Sequence, residues 1–278
     1  MKNFDNYFTK KWQLQKIKPL PKSPFTHNLL FSALSSRYNC AVILKIFPSR
    51  KDFLHEQRAL EYFNGIGCAQ LIDYDTEKCG LLLEEIKPGT QLSTFFPREE
   101  DKATEYAAQV IKKLHSKPLA ASQFKNFPKI NNWLNLLNTF KDDKMSPILL
   151  QKAQTLAQKL LNSQGDLYLL HGDLHHENIL KHNDSWIAID PKGVIGELAY
   201  EFGAFIRNPI PALLEQRNPL EIMLNRALHF STAFGINKQQ ILEWSFVQAV
   251  LAACWAIQGN SQSPDYWIKI AQMINNQF

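Results

Sequence analysis

His171–Gly193 reads HGDLHHENILKHNDSWIAIDPKG, crowding histidines and carboxylates into 23 residues. Two architectures compete for it. If the histidines matter, it is a metal nest, and zinc would want three or four N/S ligands in a tetrahedral array. If the oxygens matter, Asp173 and Asn178 lie five residues apart and Asp190 twelve further on. Between them, NILKHNDSWIAID reads as two short strands around a KHND turn. A hairpin returns the chain, so Asp190 would come back beside Asn178. Two carboxylates and one amide oxygen would then surround one point. Hard oxygen ligands of this kind suit Mg²⁺, which keeps its waters and is shared with phosphates.

The stretches upstream bear on the choice. CAVILKIF (40–47) is apolar on both faces, as a buried strand should be. Strand alternation puts Ala41, Ile43, Lys45 and Phe47 on one face. Next, Ser49 and Asp52 form a capping-box pattern and Asn64-Gly65 a stop, which predicts a helix between them. Phe53, Leu60 and Phe63 make its apolar stripe, and Glu56 lies on that stripe. A lone buried ammonium or carboxylate is costly by several kcal/mol. Either Lys45 snorkels out at a strand edge and Glu56 borders the stripe, or the two pair.

Two further strand candidates, AQLIDYD and GLLLEEI, end near Ile86. Beyond KPGTQL the patterns turn helical: Glu99–His115, Ile130–Phe140 and Ser146–Asn162, the last with Pro147 at its first position. Short strands LYLLH and SWIAID flank the opening stretch. The C-terminal part is helical, with ILEWSFVQAVLAACWAIQ its most apolar helix and Trp244, Val247, Leu251 and Trp255 a core stripe. A β-rich part thus precedes a larger helical part, with the boundary near Glu84–Pro88.

The 278 residues suffice for two lobes, and the composition (45% apolar, 21% charged) is that of a globular chain. The longest greasy run, FVQAVLAACWAI, is 12 residues, too short to span a bilayer. The N-terminus has no apolar run to serve as a signal peptide, and Cys40, Cys68, Cys79 and Cys254 form no CxxC pair. A cytoplasmic chain with reduced cysteines is expected. Net charge is +5 and uneven: His171–Phe278 holds ten acidic and seven basic residues, leaving 16 and 24 before it. A basic first part suits an anionic ligand such as a nucleotide, and an acidic second part a cationic one. The early lysines are scattered, with no recognition motif near them. No nucleic-acid, membrane or obligate protein partner is expected.

Lys45, Glu56, HGDLHHEN and the ID of Ile189-Asp190, in this order, resemble the strand lysine, helix glutamate, catalytic loop and metal aspartate of kinases. HGDLHxxNIL is typical of aminoglycoside phosphotransferase-like small-molecule kinases. IDPKG, followed by GELAYE and RNP, resembles the streptomycin 6-kinase and hydroxyurea phosphotransferase branch. LLLEEIKPGTQL resembles that branch's hinge and ACWAIQ its final helix. The likeness runs from about Trp12 to Gly259.

The resemblance implies an α+β, protein-kinase-like two-lobe fold, with a nucleotide-binding lobe over 1–84 and a helical catalytic and substrate lobe over 85–278. It implies transfer of the γ-phosphoryl of ATP to a hydroxyl of a small molecule, with ATP and Mg²⁺ as cofactors. Asp173 would orient the attacking hydroxyl or take its proton. Asn178 and Asp190 would hold Mg²⁺, and Lys45, held by Glu56, would contact the phosphates. Glu84 and Ile86 would offer backbone groups to adenine, and His171 would anchor the loop. The chain departs from the family in having no glycine in PLPKSPFTHNLL, so phosphate contacts would come from backbone amides around 23–28. It also has Glu201 where aspartate is common, in a role that supports the catalytic loop.

A cationic aminoglycoside would suit acidity from Glu177, Glu197, Glu201 and Glu243. An amino-alcohol or sugar metabolite is the alternative acceptor. A His/Asp metallohydrolase built on His171, Asp173, His175 and His176, and a catalytically silent kinase-like module, are the rival classes.

Overall fold

The computed structural model describes residues 2–21, 28–116, 120–259 and 264–278. The first lobe is built on a five-stranded antiparallel sheet of β1 (Leu14–Pro19), β2 (Leu29–Ser35), β3 (Cys40–Ile46), β4 (Leu71–Asp75) and β5 (Gly80–Glu84). The strand order is β1-β2-β3-β5-β4, which puts β3 at the centre. Its β-branched, two-faced apolarity fits that place. Val42, Leu44 and Ile46, with Leu82, pack toward α1 (Lys2–Trp12) through Phe8 and Trp12. Lys45 falls on the opposite face, under α2 (Arg50–Phe63). There Phe47, Phe53, Leu60, Leu81 and Leu83 belong to the main core.

Ser49 caps α2 by accepting from Asp52 N, and Asn64, left-handed at φ 46°, ends it by donating to Leu60 O. The Asn64-Gly65 stop therefore acts as expected. The helix α1 was not anticipated. Seven of its eleven residues are polar or charged, and the i, i+4 pair Phe8 and Trp12 marks the face that covers the sheet.

Past Glu84 the chain forms β6 (Pro88–Gln91) and then the helices α3 (Glu100–Leu114), α4 (Ile130–Thr139) and α5 (Pro147–Asn162). The strands β7 (Leu167–Leu170) and β10 (Val194–Glu197) pair with each other. They bracket the hairpin β8 (Ile179–His182) and β9 (Ser185–Ala188), with His182 opposite Ser185 across the turn. The remaining helices are α6 (Leu198–Ile206), α7 (Pro219–Phe234), α8 (Lys238–Gln258) and α9 (Pro264–Asn275). This sheet-then-helices arrangement is the α+β, two-lobe fold expected. The long apolar helix α8 is 89% buried over its greasiest window, so its apolarity serves the core. Trp244, Val247 and Leu251 are fully buried, but Trp255 leaves the predicted stripe and is 42% exposed.

Candidate active site

Lys45 does not snorkel. Its residue is 1% exposed, and its Nζ lies 2.7 and 2.8 Å from the two carboxylate oxygens of Glu56, itself 4% exposed. The same Nζ reaches Asp190 Oδ1 at 2.8 Å, so one ammonium joins the central strand, α2 and the end of the hairpin. Burial alone would lower the lysine's pKa, but Asp190 and Glu56 together hold it above its ordinary value. Burial raises Glu56 to about 7 against the pull of Lys45. Burial would likewise raise Asp190, yet Lys45 and then Lys192 keep it below the usual carboxylate range. Asp190 adopts φ 62°, a left-handed conformation that aspartate tolerates better than most residues. Its side chain stays 31% exposed, open to a ligand on the side away from Lys45.

The hairpin returns the chain as the sequence predicted. Ile189 N donates to Asn178 O at 2.9 Å, bringing Asp190 level with Asn178. Asn178 Nδ2 donates to Asp173 O at 2.9 Å, which ties the third oxygen-bearing residue to the second. That bond engages the amide nitrogen and leaves the amide oxygen as the group that could ligate. The Asn178 amide oxygen and the Asp190 carboxylate are hard oxygen donors, of the kind that suit Mg²⁺.

The loop that carries Asp173 is fixed from beneath. Glu201 on α6 accepts from His171 N at 2.6 Å and Gly172 N at 2.9 Å, and His115 Nε2 approaches it at 2.9 Å. Burial would raise Glu201, but the hydrogen bond and charge of His115 lead the groups that lower it. His171 sets its Nε2 on Ile189 O at 2.7 Å, and burial lowers its pKa, keeping it a neutral anchor. Gly172, at φ 82°, has to be glycine. A Cβ there would stand 2.9 Å from both Trp133 Cη2 and Val194 Cγ1.

At the expected hinge, Glu84 N donates to Gln70 O at 3.1 Å, and its carboxylate accepts from Gln70 N at 2.7 Å. The N–H of Glu84 is therefore committed to the sheet. Among the described residues, that of Ile86 has no hydrogen-bond partner. The phosphate-facing segment expected at 23–28 lies outside the described residues, apart from Asn28.

Three acidic residues expected to meet a cation do other work. Glu201 holds the loop that carries Asp173, Glu197 accepts from Trp244 Nε1 and Gln240 Nε2, and Glu243 pairs with Lys159 at 2.8 Å. The histidines are similarly engaged. His176 is fully buried, stacked on Phe205 at 3.8 Å, with Nε2 3.3 Å from both Glu100 Oε1 and Arg226 Nη2. Arg226 Nε donates to the same Glu100 oxygen at 2.7 Å, and its Nη1 donates to the carbonyls of Phe205, Ile206 and Asn208. Burial, then Arg226, pushes His176 down to about 4, while its hydrogen bond with His176 heads the groups that offset burial and bring Glu100 to about 2. This clamp was not read from the sequence. Its members are up to 126 residues apart, so no local pattern joins them. Among the described residues, no cluster of three or more His, Cys, Asp or Glu is placed to share a metal, so the histidine nest is not formed.

A family model for aminoglycoside/hydroxyurea antibiotic resistance kinases matches residues 14–259. Streptomycin 3''-kinase of Klebsiella pneumoniae is 27% identical over 207 residues, 72% of this chain and 74% of that one. Streptomycin 6-kinase of Streptomyces griseus is 21% identical, over 77% of this chain and 70% of its own. Among solved structures, choline kinase LicA from Streptococcus pneumoniae superposes with a TM-score of 0.69 at 13% identity, covering 99% of this chain and 97% of that one. A thermostable mutant of aminoglycoside phosphotransferase APH(4)-Ia, in a ternary complex with ADP and hygromycin B, gives 0.68 at 12%, covering 98% and 96%. At such identities the structures share the fold.

Proposed function

Because the chain belongs to the aminoglycoside/hydroxyurea antibiotic resistance kinase family and is a small-molecule phosphotransferase acting on hydroxyl groups, we propose that it transfers the γ-phosphoryl of ATP to a hydroxyl of a streptomycin-like aminoglycoside. The observation that carries this reading is the single ammonium of Lys45 shared between Glu56 and Asp190. A buried lysine held at fixed geometry between two carboxylates is preorganised to meet phosphate oxygens without reorganising during the reaction. Residues 1–84 form the nucleotide lobe and 85–278 the catalytic and acceptor lobe. The adenine edge meets the backbone around Glu84 and Ile86, with the unpartnered N–H of Ile86 as the donor.

Asp173 orients the acceptor hydroxyl and takes its proton as the hydroxyl oxygen bonds to the γ-phosphorus and the bond from that phosphorus to the ADP oxygen breaks, which a carboxylate can do because the nucleophile is a neutral alcohol. Asn178 and Asp190 would hold Mg²⁺, which would supply neutralisation of phosphate charge there. Glu201 and His171 keep the loop in place, so the rate comes mainly from positioning and charge neutralisation. The test is ATP- and Mg²⁺-dependent ADP release over a panel of aminoglycosides, amino-alcohols and sugars. Release stimulated by streptomycin is the expected result. Release driven only by an amino-alcohol or a plain sugar would replace the acceptor assignment, and ADP release from none would defeat the reading.

A further inference from the structure

Trp255 is out of keeping with its helix. Cys254 and Ala256 on either side are buried, while the indole is 42% exposed. It is also the wrong side chain to leave idle in water, being the largest apolar group of α8 outside the core. Its ring meets Trp133 edge to face, with centroids 6.0 Å apart and planes at 77°. Trp133 in turn lies against the catalytic loop, its Cη2 2.9 Å from where a Cβ of Gly172 would stand. Gly172 immediately precedes Asp173 in the chain. Trp133 also tilts against Tyr200 at 6.4 Å, which fixes it from behind. The two indoles therefore form a corner, with one wall on the loop of the proposed base and the other open to solvent.

The chemistry left at this corner is specific. Glu197, Glu201 and Glu243 are engaged inside the lobe, so they do not receive a cation there. Beside Asp173 there remain the buried Arg207, the partly buried His175, the part-exposed Glu177 on the same loop, and the aromatic surface of this corner. An indole face attracts ammonium and guanidinium groups more strongly than the other aromatic rings do, and it also packs against the C–H face of a sugar or cyclitol ring.

We propose that Trp133 and Trp255 form the acceptor platform, holding a cationic amino- or guanidino-substituted sugar or cyclitol with its charged group over Trp255 while Trp133 sets the approach of its hydroxyl to Asp173. The proposal rests on the phosphotransferase reading of Asp173, and it makes the tryptophan pair, rather than a ring of carboxylates, the specificity determinant. A small amino-alcohol covers only one of the two walls and is the poorer acceptor.

The test is steady-state kinetics of wild type, Trp255→Leu and Trp255→Phe, with streptomycin and ATP varied separately. Trp255 is exposed, so neither substitution disturbs the core, and leucine keeps apolar area without a ring. Trp255→Leu is expected to raise the KM for streptomycin about tenfold, with the KM for ATP unchanged, because cation–π contacts are of that size. Trp255→Phe should restore most of the loss, and Trp133→Phe, which keeps a ring against Gly172, should shift kcat more than KM. A wild type that phosphorylates streptomycin while Trp255→Leu keeps its streptomycin KM overturns the platform and leaves the kinase reading intact. A wild type that phosphorylates no acceptor overturns the kinase reading and the platform with it.

Discussion

Lys45 shows what a single residue can disclose. Its context in AVILKIF marked it as a charge in an apolar strand, and Glu56 was marked the same way by its helix stripe. Neither context could say that Asp190, 145 positions downstream, shares the ammonium. Removing Lys45 leaves the buried Glu56 and the part-exposed Asp190 without their cation, which is costly by about 3 kcal/mol or more. Lys45→Met should therefore lose both stability and nucleotide binding. The double variant Lys45→Met/Glu56→Gln should recover much of the melting temperature and none of the activity. Recovery of activity in the double variant would mean that Lys45 serves packing alone.

His176 makes a second prediction at this scale. Its folded pKa of about 4 lies below its ordinary value of 6.5, so the buried neutral ring contributes stability that is present above pH 6.5 and lost as pH falls toward 4. Glu100, at about 2 against an ordinary 4.5, adds stability that is lost only below pH 4.5. Melting temperature measured from pH 7 to pH 4.5 should fall in wild type, and His176→Gln should flatten that fall while starting lower at pH 7. A wild-type curve flat over this range would contradict the buried neutral assignment.

Among the elements, the His171–Asp173 loop is anchored at its start by Glu201 on α6, which accepts from two of its N–H groups. Glu201→Ala strands two buried N–H groups and the His115 ring, each worth about 1–3 kcal/mol when left unpaired. The expected outcome is a marked fall in kcat and melting temperature with the ATP affinity largely kept, measured by ADP release and nucleotide titration. Glu201→Asp, one methylene shorter, should fall between. The elements differed in how far the sequence revealed them. Strand β3, helix α2 and the β8–β9 hairpin carry strong local patterns: alternation, a serine cap, an Asn-Gly stop, a two-residue turn. Helix α1 and strand β10 do not. The first is polar or charged at seven of its eleven positions, and the second is four residues whose strand character comes from pairing with β7. Tertiary partners made these elements, and no local pattern announced them.

In the whole molecule, the sheet and the helices are joined where chemistry is assigned. Lys45 comes from the centre of the five-stranded sheet, and Asp190 follows the hairpin of the helical part. The motif spacing therefore singled out Asp173, Asn178 and Asp190 in the sequence itself, because each lies in a short local motif. The clamp of Glu100, His176 and Arg226 and the corner of Trp133 and Trp255 stayed hidden because each joins separate helices or loops. Trp255 was even placed in the core stripe by its spacing, and only the packing of α8 turned it outward. A ligand that binds the folded molecule stabilises it by about 2.7 kcal/mol at a hundred times its dissociation constant. Saturating ATP with Mg²⁺ should thus raise the melting temperature of wild type. The most direct test sets that shift beside turnover in Asp173→Asn. The variant should show the wild-type shift with ATP and Mg²⁺, while streptomycin-dependent ADP release falls about a hundredfold or more. A variant that keeps its turnover would show that Asp173 is not the base, and the phosphoryl-transfer site would have to be rebuilt around another residue.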